Sequence, residues 1–217
     1  SSAKDLAIMT SLLINNFPET YSLYKEKYFT FNNIRQPNRN RLLWKDNSSD
    51  GVKTGHTESA GYCLISSAKR NDMRLIAVVA GAKSDKERFN DTQRLLEYGF
   101  RFYSTQEVIK KDNALKDVDI WGGKENQVSL GVENNIKLTL PRTTFRNITI
   151  SYDFQNNLRA PIKEGQTLGT LIIKEGEKTL HTENLVALSE VEAKGFFGRL
   201  WASFVLWLRG LFGLDDA

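Results

Sequence analysis

One stretch constrains this chain more than any other. A dense turn, Asn47-Ser48-Ser49-Asp50-Gly51, leads into a run with strand character that begins at Val52, and a second such run, Tyr62 to Ala68, follows Ala60-Gly61. Turn residues set between β-branched and apolar runs specify strands joined by tight connections. The first of these strands carries Lys53-Thr54-Gly55-His56. A lysine, a threonine and a glycine on a strand beside a cleft offer an ammonium, a hydroxyl and close backbone approach to a ligand. That set suits a molecule bearing a carboxylate. A hairpin that carries Lys-Thr-Gly by coincidence is the alternative, and the flanking sequence bears on the choice.

Upstream, Ser2-Ala3-Lys4-Asp5 has the form of a capping box, and Leu6, Met9, Leu12 and Leu13 follow at helical spacing until Pro18 ends the helix. Tyr21 to Phe31 mixes charged and aromatic residues without a clear period. Asn32 to Trp44 alternates asparagine and arginine as a loop does. Downstream, Tyr62–Lys69 and Arg74–Gly81 flank Arg70-Asn71-Asp72, which predicts a hairpin. Ser84-Asp85-Lys86-Glu87 reads as a second capping box, ahead of a helix with Phe89, Thr92, Leu96, Phe100 and Tyr103 on one face.

The pattern changes near Ile109. From there to Leu188 it has period two, in Ile136–Leu140, Ile148–Phe154, Leu168–Ile173 and Leu185–Leu188, separated by Asn134-Asn135, Asn156-Asn157 and Glu175-Gly176. This predicts a small all-β domain. The last segment, Gly195–Gly213, places Phe197, Leu200, Trp201, Phe204, Val205, Trp207, Leu208, Leu211 and Phe212 on one arc of a helix, with Arg199, Ser203 and Arg209 opposite and Leu206 as the exception. Its uncharged run is far short of the roughly 20 residues that cross a bilayer. An interfacial anchor is expected, with Trp201 and Trp207 at the headgroup level. A helix packed on the β domain, or a subunit interface, is the alternative.

Composition excludes several classes. The chain has 217 residues, 40% of them hydrophobic, and a formal charge of +4. That charge is too small to argue for nucleic acid, and Pro37 and asparagines break up Arg35, Arg39, Arg41 and Lys45. Cys63 is the only cysteine, so no internal disulfide forms, and a buried thiol is the expected role. His56 and His181 show no metal-ligand spacing. No signal peptide opens the chain.

Three segments together carry a resemblance: Arg35-Gln36-Pro37-Asn38-Arg39-Asn40-Arg41-Leu42-Leu43-Trp44, then Asp50-Gly51-Val52-Lys53-Thr54-Gly55-His56-Thr57, then Leu95-Leu96-Glu97-Tyr98-Gly99-Phe100-Arg101-Phe102. They resemble the D-alanyl-D-alanine carboxypeptidases, the low-molecular-mass penicillin-binding proteins of the DacA type (peptidase S11-like). The resemblance runs as far as Phe196-Phe197-Gly198. It implies an α+β chain: the C-terminal part of a penicillin-binding, β-lactamase-like transpeptidase domain over 1–108, an all-β domain over 109–192 and an amphipathic membrane-anchor helix over 193–217. It implies a serine-type enzyme that trims the terminal D-alanine from peptidoglycan pentapeptides ending in D-Ala-D-Ala. Such an enzyme needs no cofactor or metal, is inhibited by β-lactams, and lies on the periplasmic face of the bacterial inner membrane. Residue by residue, Lys53 matches the catalytic lysine of the third motif. Thr54 and Gly55 match substrate-binding positions. His56 matches the residue whose backbone N–H completes an oxyanion hole, although its imidazole can be read as merely solvated. Arg88, and with less support Arg39, match arginines that hold the substrate carboxylate; a surface charge is the other reading of Arg88, and a surface or structural role that of Arg39.

Two motifs of that family are missing. Ser-x-Asn does not occur, and Ser-x-x-Lys occurs at Ser1/Lys4, Ser22/Lys25 and Ser66/Lys69. Ser66 and Lys69 fall in a predicted strand, where odd spacing sends them to opposite faces. Ser22/Lys25 lacks an apolar helix around it, and Ser1/Lys4 lies at the terminus. The nucleophile is therefore expected outside this chain, which begins inside the catalytic domain, and the chain alone is expected to be inactive. A non-catalytic, membrane-associated binding or adaptor protein of the cell envelope is the competing reading.

Overall fold

The computed structural model describes residues 2–154 and 157–195. The candidate anchor residues Phe197, Leu200, Trp201, Phe204, Trp207, Leu208, Leu211 and Phe212 lie outside the described residues. The chain forms two compact units. Of the described residues, the first holds those up to Thr105 together with Thr139–Arg142; the second holds Gln106–Leu138 and those from Thr143 on.

Helix α1 (Ala3–Asn16) starts on the expected capping box, with the Ser2 hydroxyl accepting from the Asp5 amide and the Asp5 carboxylate accepting from the Ser2 amide. It ends at Asn16, before Pro18, and Pro18 opens a second short helix, α2 (Pro18–Ser22). Proline at a first helical position loses no hydrogen bond, because that N–H has no intrahelical partner. The apolar stripe of α1 divides: Leu6 and Leu13 are half-buried, while Met9 and Leu12 are exposed.

The expected loop over 32–44 is a correction. Strands β1 (Tyr28–Phe31) and β2 (Ile34–Pro37) form an antiparallel hairpin, and helix α3 (Leu42–Lys45) follows. Its two-residue turn is Asn32-Asn33, with φ of 48° and 60°. Asparagine tolerates that left-handed region, and two such residues in sequence match the twist of a hairpin. Every residue of both strands is exposed.

The first unit is organised on the antiparallel sheet β3 (Ser49–Thr57), β4 (Gly61–Arg70) and β5 (Met73–Ala82), in that order. Helix α4 (Asp85–Phe102) covers β4 and β5. Its buried residues Phe89, Thr92, Leu96 and Phe100 repeat at helical spacing, and Phe89, Leu96 and Phe100 share a core with Leu64, Ala68, Met73 and Ala77 of the sheet. Complete burial of each large apolar side chain contributes about 1.5–3 kcal/mol, which fixes the helix to the sheet. The second capping box is only half formed: the Ser84 hydroxyl accepts from the Glu87 amide, but the Glu87 carboxylate reaches one residue further back, to the Lys83 amide. Ser66 is buried and Lys69 exposed, as odd spacing on a strand requires.

A ribbon of β6 (Tyr103–Ile109) and β9 (Ile136–Pro141) is separate from the main sheet of the second unit. That sheet consists of β7 (Lys116–Trp121), β8 (Gln127–Gly131), β10 (Ile148–Phe154), β11 (Leu158–Arg159), β12 (Thr167–Glu175) and β13 (Lys178–Ala187), in the order β10-β12-β13-β8-β7-β11. Among the described strands of this sheet, only β11 runs parallel to its neighbour. Val118, Ile120, Val128, Leu130, Leu171, Ile173 and Leu185 turn into one core. No described helix is long and apolar enough to cross a membrane.

Candidate functional site

The Lys-Thr-Gly segment lies on β3, the outer strand of its sheet among the described residues. Its N-terminal end is fixed by buried polar groups. The Gly51 carbonyl accepts from Asn40 Nδ2 at 2.8 Å and from Ser66 Oγ at 2.9 Å. Asn40 is 1% exposed and also accepts from the Leu42 amide through Oδ1. Asp50 accepts from the Tyr21 hydroxyl at 2.8 Å and from Arg74 Nη1 at 2.9 Å. Burial pushes the Tyr21 hydroxyl above its ordinary range, so it stays protonated and donates. Position 51 needs glycine because a Cβ there would stand 2.6 Å from the Tyr21 hydroxyl oxygen.

The motif itself alternates. Lys53 is exposed and its Nζ donates to the Thr54 carbonyl at 2.6 Å, whereas Thr54 is 9% exposed. Gly55 is exposed, and 3.8 Å would separate a Cβ there from Cys63 Cβ across the ladder. His56 is exposed but not merely solvated. Its ring stacks on Tyr62, with centroids 3.9 Å apart and planes at 14°, and Nδ1 donates to the Gly61 carbonyl at 3.2 Å. A carbonyl only accepts, which assigns the proton to Nδ1. Gly61 holds the turn open at φ +64°, where a Cβ would meet the Ala82 carbonyl oxygen at 2.9 Å.

Arg88 departs most from the surface-charge reading. It is 6% exposed. Its Nη1 donates to the Gly55 carbonyl at 2.9 Å and to the Cys63 carbonyl at 3.3 Å, and its Nη2 pairs with Asp85. Asp85 also pairs with Arg41 at 3.0 Å. Arg88 thus joins α4 to the motif strand. Arg39 is exposed at a loop, and among the described residues no hydrogen bond or ion pair joins it to the others. Cys63 is half-exposed rather than buried, a second correction, because it faces the rim of the sheet near Ala60.

The structure therefore brings Lys53, Thr54, Gly55, His56 and Arg88 onto one strand and the helix beside it. The two large cavities described, of about 670 and 730 Å³, lie in the β unit and include none of these residues. Chemistry, not enclosed volume, singles out β3. Sequence reasoning missed Tyr62 and Asp85. Tyr62 was discoverable: once the strands are paired across Ala60-Gly61, it falls opposite His56.

Comparison with known proteins bears on the family. Residues 1–84 match the D-alanyl-D-alanine carboxypeptidase family, and residues 103–193 match the C-terminal domain of penicillin-binding protein 5. The chain is 44% identical to D-alanyl-D-alanine carboxypeptidase DacC of Escherichia coli K12, over 98% of this chain and 54% of that protein. It is 42% identical to DacA of the same strain, over 92% of this chain and 50% of that protein. Among solved structures, penicillin-binding protein 5 from Haemophilus influenzae superimposes with a TM-score of 0.76 at 37% identity, covering 88% of this chain and 57% of that one. The chain thus spans about half the length of the curated relatives it matches. Motif strand, helix and following β domain lead to one conclusion: the chain belongs to the DacA/DacC-type D-alanyl-D-alanine carboxypeptidases, of which it carries the C-terminal part of the transpeptidase domain and the C-terminal domain.

Proposed function

We propose that this chain is part of a serine-type carboxypeptidase that removes the terminal D-alanine from peptidoglycan pentapeptides through an acyl-enzyme. The observation that carries this reading is Lys53-Thr54-Gly55-His56 on an outer strand pinned at both ends, by Asn40 and Ser66 on Gly51 and by Arg88 on Gly55. In it, Lys53 supports proton transfer and supplies positive field at the reacting centre. Thr54 and Gly55 receive the terminal carboxylate end of the substrate, with Arg88 and Arg39 adding charge. The His56 N–H stabilises the tetrahedral oxyanion. A serine and its activating lysine come from a segment preceding Ser1, because the chain contains no Ser-x-Asn and no well-placed Ser-x-x-Lys. β-Lactams acylate the same serine.

The same absence favours a second reading for the chain in isolation, as a binding or adaptor piece of the cell envelope. In either case we propose that residues 195–213 hold the protein on the periplasmic face of the bacterial inner membrane.

Release of D-alanine from a pentapeptide ending in D-Ala-D-Ala tests the enzymatic reading. The protein extended through the preceding segment should release it, and Lys53→Ala should lower kcat by about 100-fold or more, as loss of a transition-state contact does. Undiminished release by Lys53→Ala would contradict the assignment.

A further inference from the structure

The Gly55 carbonyl and the His56 N–H belong to one peptide unit. That unit is planar and trans, so fixing the direction of the C=O fixes the N–H on the opposite side. The carbonyl is held by Arg88 Nη1 at 2.9 Å, and Arg88 is in turn paired with Asp85 from the first turn of α4. The other end of the unit is held through its side chain. Tyr62, directly across the ladder from His56, stacks on the imidazole at 3.9 Å. The Arg88 guanidinium carbon is 5.3 Å from the centre of the same Tyr62 ring.

We infer that Asp85, Arg88 and Tyr62 are positioning residues that aim the His56 N–H: Asp85 and Arg88 from the carbonyl side of the Gly55–His56 peptide, Tyr62 from the side chain. The inference rests on the reading of that N–H as an oxyanion donor. Arg88 acts on the reaction through the peptide, whatever further contact it makes with a carboxylate. A cation on the carbonyl also polarises the peptide, which strengthens the hydrogen bond that its N–H donates. Asp85 holds the guanidinium in register, because an arginine fork is directional. Tyr62 supplies a flat surface, which phenylalanine would also supply.

An oxyanion donor acts in the transition state, so loss of its aim lowers kcat and leaves KM nearly unchanged. In the extended protein, Asp85→Asn and Tyr62→Leu should each lower kcat for D-alanine release by about 10-fold, with KM changed less than about 2-fold. Tyr62→Phe should restore kcat. A rise in KM with kcat intact would overturn the inference and assign these residues to uniform substrate binding. Failure of Tyr62→Phe to restore kcat would overturn the part played by the stack.

A second readout needs no activity. In the isotopically labelled chain of 217 residues, the His56 amide resonance should move in both Asp85→Asn and Tyr62→Leu, and the imidazole protons should lose the ring-current shift of Tyr62 in the latter. If the wild-type extended protein releases no D-alanine while these shifts occur, the functional reading fails and the brace stands. An unmoved His56 amide in both variants overturns the brace whatever the activity. Should Asp85→Asn unfold, Tyr62→Leu alone decides by the same criteria.

Discussion

Arg70 shows how much of the site's support rests on single residues beyond the motif. It reaches Asp46 at 3.0 Å and Glu97 at 2.5 Å, and its guanidinium lies 4.3 Å from the centre of the Phe100 ring. The turn that launches the motif strand is thereby tied to α4. Burial alone would raise the Asp46 carboxyl, but hydrogen bonds from Ser48 and Arg70 outweigh it and hold the group below its ordinary range. Glu97 is held low chiefly by its hydrogen bond from Arg70. A carboxylate with a depressed folded-state pKa binds fewer protons folded than unfolded, so its stabilisation is complete above the unfolded values of 3.8 and 4.5 and disappears as pH falls through the lower folded values. Glu97 is half exposed and the solvent screens it, so Arg70→Gln should cost about 1 kcal/mol at pH 7. At pH 3 the deficit should be clearly smaller. Urea midpoints of both proteins at the two pH values measure this, and an equal deficit at both would show that the ion pairs contribute nothing.

At the scale of elements, legibility followed burial. Strands β3 to β5 and α4 were readable because turn residues bracket them and because Phe89, Leu96 and Phe100 repeat on one face that the fold buries. The β1–β2 hairpin was not, because every residue in it is exposed and no alternation marks its faces. Its one signal was Asn32-Asn33. Strands β7 and β8 were passed over although Val118 and Ile120 alternate with Asp117 and Asp119 and enter the core. The candidate motif was legible as a string. The burial of Arg88 was not, since its partners are backbone carbonyls that only the paired strands bring to it. The terminal segment remains a sequence-based expectation. Its apolar arc could contribute up to about 1.5–3 kcal/mol per wholly buried side chain, and partial immersion only a fraction of that. With little net charge, binding should survive salt that strips a basic patch. The chain should float with lipid vesicles at low and high salt, and Trp201, Phe204 and Leu208 changed to Ser should leave it in the soluble fraction. A wild-type chain that stays soluble at low salt would make the segment a packing element.

For the whole molecule, we propose a division of labour within one reaction. In the proposed reaction this chain would supply the lysine, the carboxylate-binding strand and one oxyanion donor, and a preceding segment would supply the nucleophile. Such a division is consistent with a chain that matches its relatives over nearly its whole length yet spans about half of theirs. On that proposal the chain alone should be a poor acyl acceptor, and the complete site should need it. Covalent labelling by a fluorescent penicillin tests this most directly, with the second-order acylation rate measured for the extended protein, for its Lys53→Ala variant and for the 217-residue chain. Stoichiometric labelling of the first, labelling slowed by about 100-fold or more in the second and no covalent band in the third are the expected results. Labelling of the isolated chain, or equal rates with and without Lys53, would contradict the account.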